Sequence, residues 1–449
     1  MNQGRKYGIA LWHRIWLNAQ GFSLSKNDIM RNIKLFFTLM MASMLLFSCS
    51  TQNKISKQNL ADTYVDNFSG KFMQYQLFHL NDSISTLSVR LDASKIPGLA
   101  TKKLDVYSLI RLNYQVYSTV NMKDFIQADS YKLSDLIPFD KIDAGAVEVK
   151  IPLHLKDSSK YFIRLNLKDQ VNKKDFVNVI RTNKNPLSAE NYQITDDQGN
   201  LLWYSWLPEG QKFMIHYRYQ GAHKVYMSYF KPQFSPAPPP YAQILKQDLE
   251  FNRVKPFDHY EISLKNGQSS VFQLPKEGAY LIHAKKDVMQ GKMITQFYQA
   301  YPDIQQIAQK VFALRYLNPK KEFMQMLKDE PQHTLKEFWF FEGRTEDRSK
   351  QMMGSYYGRV LRANELFTSY KEGWKTDRGM IFMVYGPPDY VHYELDREVW
   401  EYGSDAAYND LEFEFILTNT PLNNQEYILL RNQDFKKSWY SILENWRNK

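Results

Sequence analysis

The sequence predicts a mostly β protein with an α+β C-terminal domain: two tandem immunoglobulin-like β-sandwiches followed by a unit that mixes helices and strands. Three observations carry this. Apolar residues alternate with period two in short runs between residues 72 and 300, the spacing that sets every second side chain on one face of a strand. No helical pattern separates those runs, as a sandwich requires. After Tyr301 the period changes to that of helices. With 43% hydrophobic and 24% charged residues, the 449-residue chain has the make-up of folded proteins. At roughly 150 residues per domain it has room for two or three domains.

The first element is an address. Leu35 to Phe47 is continuously apolar, follows Arg31 and Lys34, and is too short to span a bilayer, which needs about 20 residues. A basic stretch, a short apolar core and a small residue, Ser48, are the parts of a secretory signal peptide. Leu46, Phe47, Ser48 and Cys49 together resemble the lipobox of a bacterial lipoprotein. That resemblance implies cleavage before Cys49 and lipidation of its sulfur, and several acyl chains at about 0.8 kcal/mol per buried methylene make a lasting anchor. The competing reading of a lone cysteine is a small buried hydrophobe. Met30, just ahead of the basic stretch, is a candidate start. Residues 1–48 are thus read as extension and signal, and 49–70 as a polar tether. Surface lipoproteins of Bacteroidota tend to carry acids after the cysteine, whereas STQNKISKQN has none, so the resemblance implies a protein of the outer membrane facing the periplasm.

Charge and cysteine usage exclude several classes. Lysine and arginine exceed aspartate and glutamate by 58 to 48, but residues 1–48 hold six of those bases and one of those acids. Without them the balance is 52 to 47, weak grounds for a nucleic-acid partner. A single cysteine leaves no intramolecular disulfide and no thiolate metal site, so packing alone must stabilise the exported lobes.

The first sandwich is assigned to residues 71–183. Its clearest strands hold Ile110, Leu112, Tyr114 and Val116; then Val147, Val149, Ile151, Leu153 and Leu155; then Tyr161, Ile163, Leu165 and Leu167. Pro152 places the second of these at a sheet edge. The second sandwich, 184–300, repeats the pattern at 213–219, 224–230, 271–274 and 280–284, and its closing hairpin echoes that of the first. Within it, Ser235 to Pro240 reads SPAPPP, an extended stiff loop or, as the alternative, a ligand for an aromatic groove. Asp196 to Asn200 reads as a hairpin turn in preference to a calcium loop.

The third unit, 301–449, opens with Ile304, Ile307, Ala308, Val311 and Leu314 on one helical face. A longer helix is expected from Thr345 as N-cap, with Glu346 and Asp347 in its first turn. Its buried stripe would hold Met353, Tyr356, Tyr357, Val360, Phe367 and Tyr370, leaving Arg348, Arg359 and Arg362 on the other face. Strands are expected at 380–385, where an unbroken apolar run suggests burial on both sides, at 399–402 and at 411–417. A last amphipathic helix covers 434–446.

Between the long helix and the run at 380–385 stand Gly373, Trp374, Lys375, Thr376, Asp377, Arg378 and Gly379, and the run ends in Tyr385, Gly386, Pro387, Pro388 and Asp389. The pair GWKTDRG and YGPPD resembles the GWxTD-domain family of bacterial envelope proteins, largely from Bacteroidota. Phe338 and Trp339, then Arg359 and Asn364, and downstream Val399, Trp400 and Tyr402 fit the same pattern over about 301–440. Phe340, Phe341, Glu342 and Gly343 depart from it. The resemblance implies architecture and envelope location and carries no catalytic residue. Physically the motif reads as a corner. Gly373 and Gly379 would take positive φ between helix and strand, Trp374 would cover the hinge, and Asp377 would accept backbone amides or pair with Arg378, Arg359 or Arg362. The functional alternative sets Asp377, Arg378 and Asp389 around a cleft, with Trp374 or Tyr385 stacking on a ligand.

Familiar chemistry is missing from the spacing. The nine histidines form no close ligand pair, His216 and His223 standing seven apart, so no metal and no cofactor is expected. No G-x-S-x-G, P-loop or G-x-G-x-x-G occurs. Paired glycosidase carboxylates leave no local spacing to read, so an enzyme stays open. Aromatics make up 15% of the chain; they fill cores, line protein interfaces and stack on sugars, and Trp203 and Trp206 are the pair to inspect for exposure. The leading expectation is a non-enzymatic, lipid-anchored scaffold with envelope protein partners. The alternative is a protein that binds or cleaves polysaccharide or peptidoglycan.

Overall fold

Residue alternation becomes strand pairing throughout the N-terminal lobe. The computed structural model describes residues 59–64, 73–92, 96, 109–119, 122–137, 146–170, 173–232, 234–243, 254–394, 396–403, 411–420 and 423–448. The signal segment, Cys49 and residues 50–58 and 65–70 lie outside the described residues; the stretch 59–64, expected to be tether, is instead packed, with Leu60, Ala61 and Tyr64 buried in the core of the C-terminal unit.

Strands β1 (Met73–His79), β2 (Ile84–Asp92) and β5 (Ala146–His154) form one antiparallel sheet in the order β1-β2-β5. Strands β3 (Ile110–Tyr117), β4 (Phe125–Lys132), β6 (Ser159–Asp169) and β7 (Lys174–Lys184) form the facing sheet, ordered β4-β3-β6-β7, with a single helical turn, α1 (Leu133–Leu136), after β4. Leu87, Val89 and Leu91 of β2 pair with Ile151, Val149 and Val147 of β5, so one face of that sheet is apolar. It closes on Ile110, Leu112, Ile163 and Leu165 from the other sheet. Pro152 is on the edge strand β5, where the sequence places it. The outer face of β7 is buried too. Phe176 and Ile180 point into the sandwich, while Val177 and Val179, on the alternate face, join the core of the C-terminal unit.

The second lobe is one hydrogen-bonded ladder of eight strands, ordered β8-β10-β13-β12-β11-β14-β15-β9. These are β8 (Tyr192–Thr195), β9 (Trp206–Leu207), β10 (Met214–Tyr217), β11 (Lys224–Phe230), β12 (Asp258–Lys265), β13 (Gln268–Ser269), β14 (Gly278–His283) and β15 (Lys292–Gln296). Ile194 and Ile215 from one half share a core with Val225, Met227, Tyr280 and Ile282 from the other, so the ladder folds back on itself through β12. Of the strand expected at 271–274, only the bridge Phe213 to Phe272 forms. Asp196 closes a turn as expected, its Oδ1 accepting from the amides of Gln198 and Asn200 beside Gly199 at φ +88°.

The C-terminal unit carries helices α2 (Ile307–Ala313), α3 (Lys320–Met326), α4 (Pro331–Gly343), α5 (Glu346–Phe367), α6 (Asp377–Tyr385) and α7 (Phe435–Asn448). They pack with an antiparallel meander, β16 (Tyr390–Tyr393), β17 (Arg397–Tyr402), β18 (Leu411–Thr420) and β19 (Asn423–Leu429). Helix α5 starts where the sequence starts it, the Thr345 hydroxyl accepting from the Arg348 amide. Tyr356, Val360 and Phe367 are buried along it. Two expectations are corrected. Residues 380–385 are helix, not strand, and every residue from Gly379 to Tyr385 is buried. Arg362 is not on a solvated face but buried, and Arg359 turns inward to donate to the carbonyls of Met383 and Val384 at the end of α6.

The three parts are welded. Arg218 of the second lobe donates to Asp157 and Asp82 of the first and is itself buried. Phe230, Phe234 and Leu281 of the second lobe pack on Tyr370 of the third. Among the described residues, no helix is long and apolar enough to cross a membrane.

Candidate functional site

The GWKTDRG segment is a helix start rather than a strand start. Gly373 to Lys375 make one 3-10 turn, and Thr376 then caps α6: its hydroxyl donates to the Gly373 carbonyl at 2.7 Å and accepts from the Gly379 amide at 3.0 Å. Neither Gly373 nor Gly379 has positive φ. They are glycines because of crowding: a Cβ on Gly373 would stand 2.0 Å from the Ala363 carbonyl oxygen, and one on Gly379 would stand 2.0 Å from that of Gly373. The 3-10 turn thus lies backbone to backbone on α5, and α6 on the turn. Positive φ falls at Gly386, at +93°, where α6 ends.

Trp374 is buried; its amide donates to Asn364 Oδ1, and its indole meets Phe312 and Tyr316 edge-on. Asn364 in turn donates to the Pro302 carbonyl at 2.8 Å. Asp377 accepts from the Leu429 amide at 2.9 Å and is gripped by both terminal nitrogens of Arg431. Arg431 also donates to the Pro238 carbonyl at 3.0 Å, and the Ala237 amide donates to the Lys375 carbonyl at 2.9 Å. The SPAPPP loop of the second lobe therefore lies directly on the motif. The partner expected for Asp377 among Arg378, Arg359 and Arg362 is instead Arg431, more than fifty residues downstream.

Arg378 serves a different contact. It donates to Glu398 at 3.1 Å and lies over the rings of Tyr427 and Phe367. Glu398 is fully buried and also accepts from the Trp400 indole at 2.7 Å and from the Tyr64 hydroxyl. Burial, and then the Glu398 charge, hold the Tyr64 hydroxyl well above the ordinary tyrosine range. Tyr385 is buried among Tyr402, Phe413 and Trp439. Pro387 and Pro388 lead from Gly386 into β16, and Asp389 Oδ2 accepts from the Gly403 amide at 2.9 Å. Asp377, Arg378 and Asp389 thus each hold a separate contact, and Trp374 and Tyr385 are packed in the core.

Open space lies beside the motif. A cavity of about 480 Å³ is bounded by Thr376, Arg378, Glu426 and Tyr427 of the third unit and by Glu190 and Trp203 of the second lobe. A second, of about 550 Å³, is bounded by Tyr75 and Arg90 of the first lobe, Trp203 and Trp206 of the second, and Arg362 and Glu365 of α5. Trp203 and Trp206 are both half-buried, and the exposed Tyr204 stacks on Trp206 at 4.8 Å. Sequence reasoning pointed to these tryptophans. It set Arg362 on the solvated face of α5, whereas the side chain is buried. Among the described residues, no three histidine, cysteine or acidic side chains gather to hold a metal. His216 is spent on Thr195 at 2.9 Å.

Fold and corner define a three-lobed, β-rich protein whose C-terminal helical unit is built around a Gly-Trp-Lys-Thr-Asp turn. Residues 278–448 match the family model of the GWxTD domain, so the chain contains a GWxTD domain over that stretch. None of the curated proteins matches it. Among solved structures, it is similar to Escherichia coli alpha-2-macroglobulin activated by porcine elastase at 11% identity, with a TM-score of 0.16. That likeness covers 54% of this chain and 23% of the other, and at such a score it carries no argument.

Proposed function

We propose that this is a non-enzymatic, lipid-anchored scaffold or binding protein of the cell envelope, held through Cys49 at the outer membrane and facing the periplasm. The observation that supports it is the use of the motif: Trp374 ties it to α5, Lys375 to the proline loop of the second lobe and Asp377 to β19, while Thr376 caps α6. A motif spent on holding lobes in fixed relation suits a docking body better than a reaction centre. Proximity labelling or crosslinking in the native envelope tests this reading. Recovery of a defined set of envelope proteins supports it; recovery of none speaks against it.

A second reading, binding of a polysaccharide or peptidoglycan, is favoured by the aromatic wall of Tyr75, Trp203, Tyr204 and Trp206 along the larger cavity. Such faces accept the apolar side of a sugar ring. Retention on a glycan array tests it.

A further inference from the structure

A trough of about 710 Å³, a volume within the range of ligand sites, lies on the outer face of the β4-β3-β6-β7 sheet. Leu112, Tyr114 and Val116 of β3 point into the sandwich core, so alternation turns Arg111, Asn113 and Gln115 outward. Pairing register fixes what stands beside them. Lys132 of β4 is directly opposite Arg111 on one side, and Lys168 of β6 is opposite it on the other. Three cations thus stand side by side across three strands, neighbours being about 5 Å apart at Cβ. Among the described residues, none of the three makes an ion pair, although Asp175 of β7 is next in the row beyond Lys168. Like charges directly opposite one another are unfavourable in a sheet, and an anion lying along the row relieves them.

Side-chain contacts aim these groups over the trough. Arg111 Nε donates to Ser130 Oγ at 2.9 Å, and Ser130 donates on to Asn113 Oδ1 at 2.6 Å. The guanidinium of Arg111 therefore lies along the outer face, toward the next row of Ser130, Asn113 and Asn166. One row beyond, about 13 Å from the first, Arg164 donates to Gln115 Oε1 at 3.4 Å. Two acids border the trough, Asp175 and Asp129. Asp129 is paired with the inward Tyr114, so alternation turns it to the other face and leaves Asp175 against four cations on this one. Cations at both ends suit acid groups. The amides and the hydroxyl between them suit sugar hydroxyls, which both donate and accept.

We propose that this trough binds an acidic polysaccharide, with acid groups on Arg111, Lys132 and Lys168 at one end and on Arg164 at the other, and sugar hydroxyls on the row between. The proposal rests on the glycan reading above and adds the charge of the ligand. Calorimetric titration of the full chain in non-ionic detergent tests it, with galacturonate octamers, their methyl esters, neutral tetramers of N-acetylglucosamine, and polyglutamate as a non-sugar acid. The galacturonate octamer is expected to bind at least about tenfold more tightly than its ester and to weaken as salt is raised. Combining Arg111→Gln with Lys168→Gln should lower that affinity about tenfold without lowering the melting temperature. Lys132→Gln, at an exposed position, repeats the test with a smaller loss, and Asp175→Asn should tighten binding. Equal binding of acid and ester, or an acid affinity indifferent to the double variant, would overturn the proposal and leave the glycan reading standing. Failure of every sugar to bind would sink both, and tighter binding of polyglutamate would reassign the trough to acidic protein segments.

Discussion

Arg431 closes on Asp377 with both terminal nitrogens, and the same guanidinium reaches on to the Pro238 carbonyl. One ion pair thereby fixes the last strand, the start of α6 and a loop of the preceding lobe. Both side chains are about nine-tenths buried. Asp377→Ala leaves a buried cation without its partner, a change that costs about 3–5 kcal/mol. Calorimetry should show a clear fall in melting temperature; unchanged melting with lost binding of a partner would instead make Asp377 a contact residue.

The glycines of the chain divide by surroundings. Gly373→Ala and Gly379→Ala drive a Cβ into backbone oxygen and should abolish folding or lower stability severely. Gly354→Ala and Gly358→Ala, on the exposed side of α5 with open space around them, should stabilise by up to about 1 kcal/mol each. Melting curves of the four variants decide whether close approach governs the motif.

His79 gives the first lobe an acid sensitivity. It is fully buried between Ser85 and Thr182, and burial, then Lys184 and Arg218, lower its pKa to about 3. The unfolded chain takes up that proton near the ordinary value of 6.5, so between there and about 3 the unfolded state holds more protons and stability falls as pH falls. The slope approaches about 1.4 kcal/mol per pH unit. His79→Gln should remove this part of the slope in denaturation measured from pH 7 to 4. Lys184, lowered to about 8 by burial and then Arg218, adds stability with rising pH between there and 10.5.

Arg218 is the tie between the first two lobes. Arg218→Ala removes a buried guanidinium but leaves the Asp82 and Asp157 side chains 82% and 33% exposed, so no charge is buried without a partner and melting should fall by less than in the Asp377 variant. Limited proteolysis should then cut near residues 184–190 faster than in the unaltered protein. An unaltered cleavage pattern would mean that the lobes hold without it.

Cys49 carries the anchoring proposal. Mass spectrometry of the native protein should find its sulfur acylated and the preceding residues removed, and Cys49→Ala should release the protein from the membrane fraction. A free thiol with the leader attached would end that account.

Much of the β architecture was legible because sheets with one buried face advertise a period of two. The run Phe176, Val177, Val179, Ile180 even records burial on both faces of β7. Residues 380–385 misled because a short, wholly apolar run has no period: strand and helix look alike when every side is buried. The deciding signs were at its ends, Thr376 and Asp377 as cap and first turn and Gly386 as terminator. The motif was readable as a corner but not in its partners. Arg431, the SPAPPP loop and Glu398 meet it only through the tertiary fold, and the buried Arg362 lies on a helix whose other arginines look no different in sequence.

The proline-rich loop has a practical corollary. Ala237 and Pro238 contribute a backbone donor and a backbone acceptor to the GWxTD domain, yet they precede residue 278, where similarity to the family begins. A recombinant piece trimmed to that limit would lose its clasp and uncover Trp439 and Tyr370, so biochemistry on this domain calls for beginning upstream of Phe230.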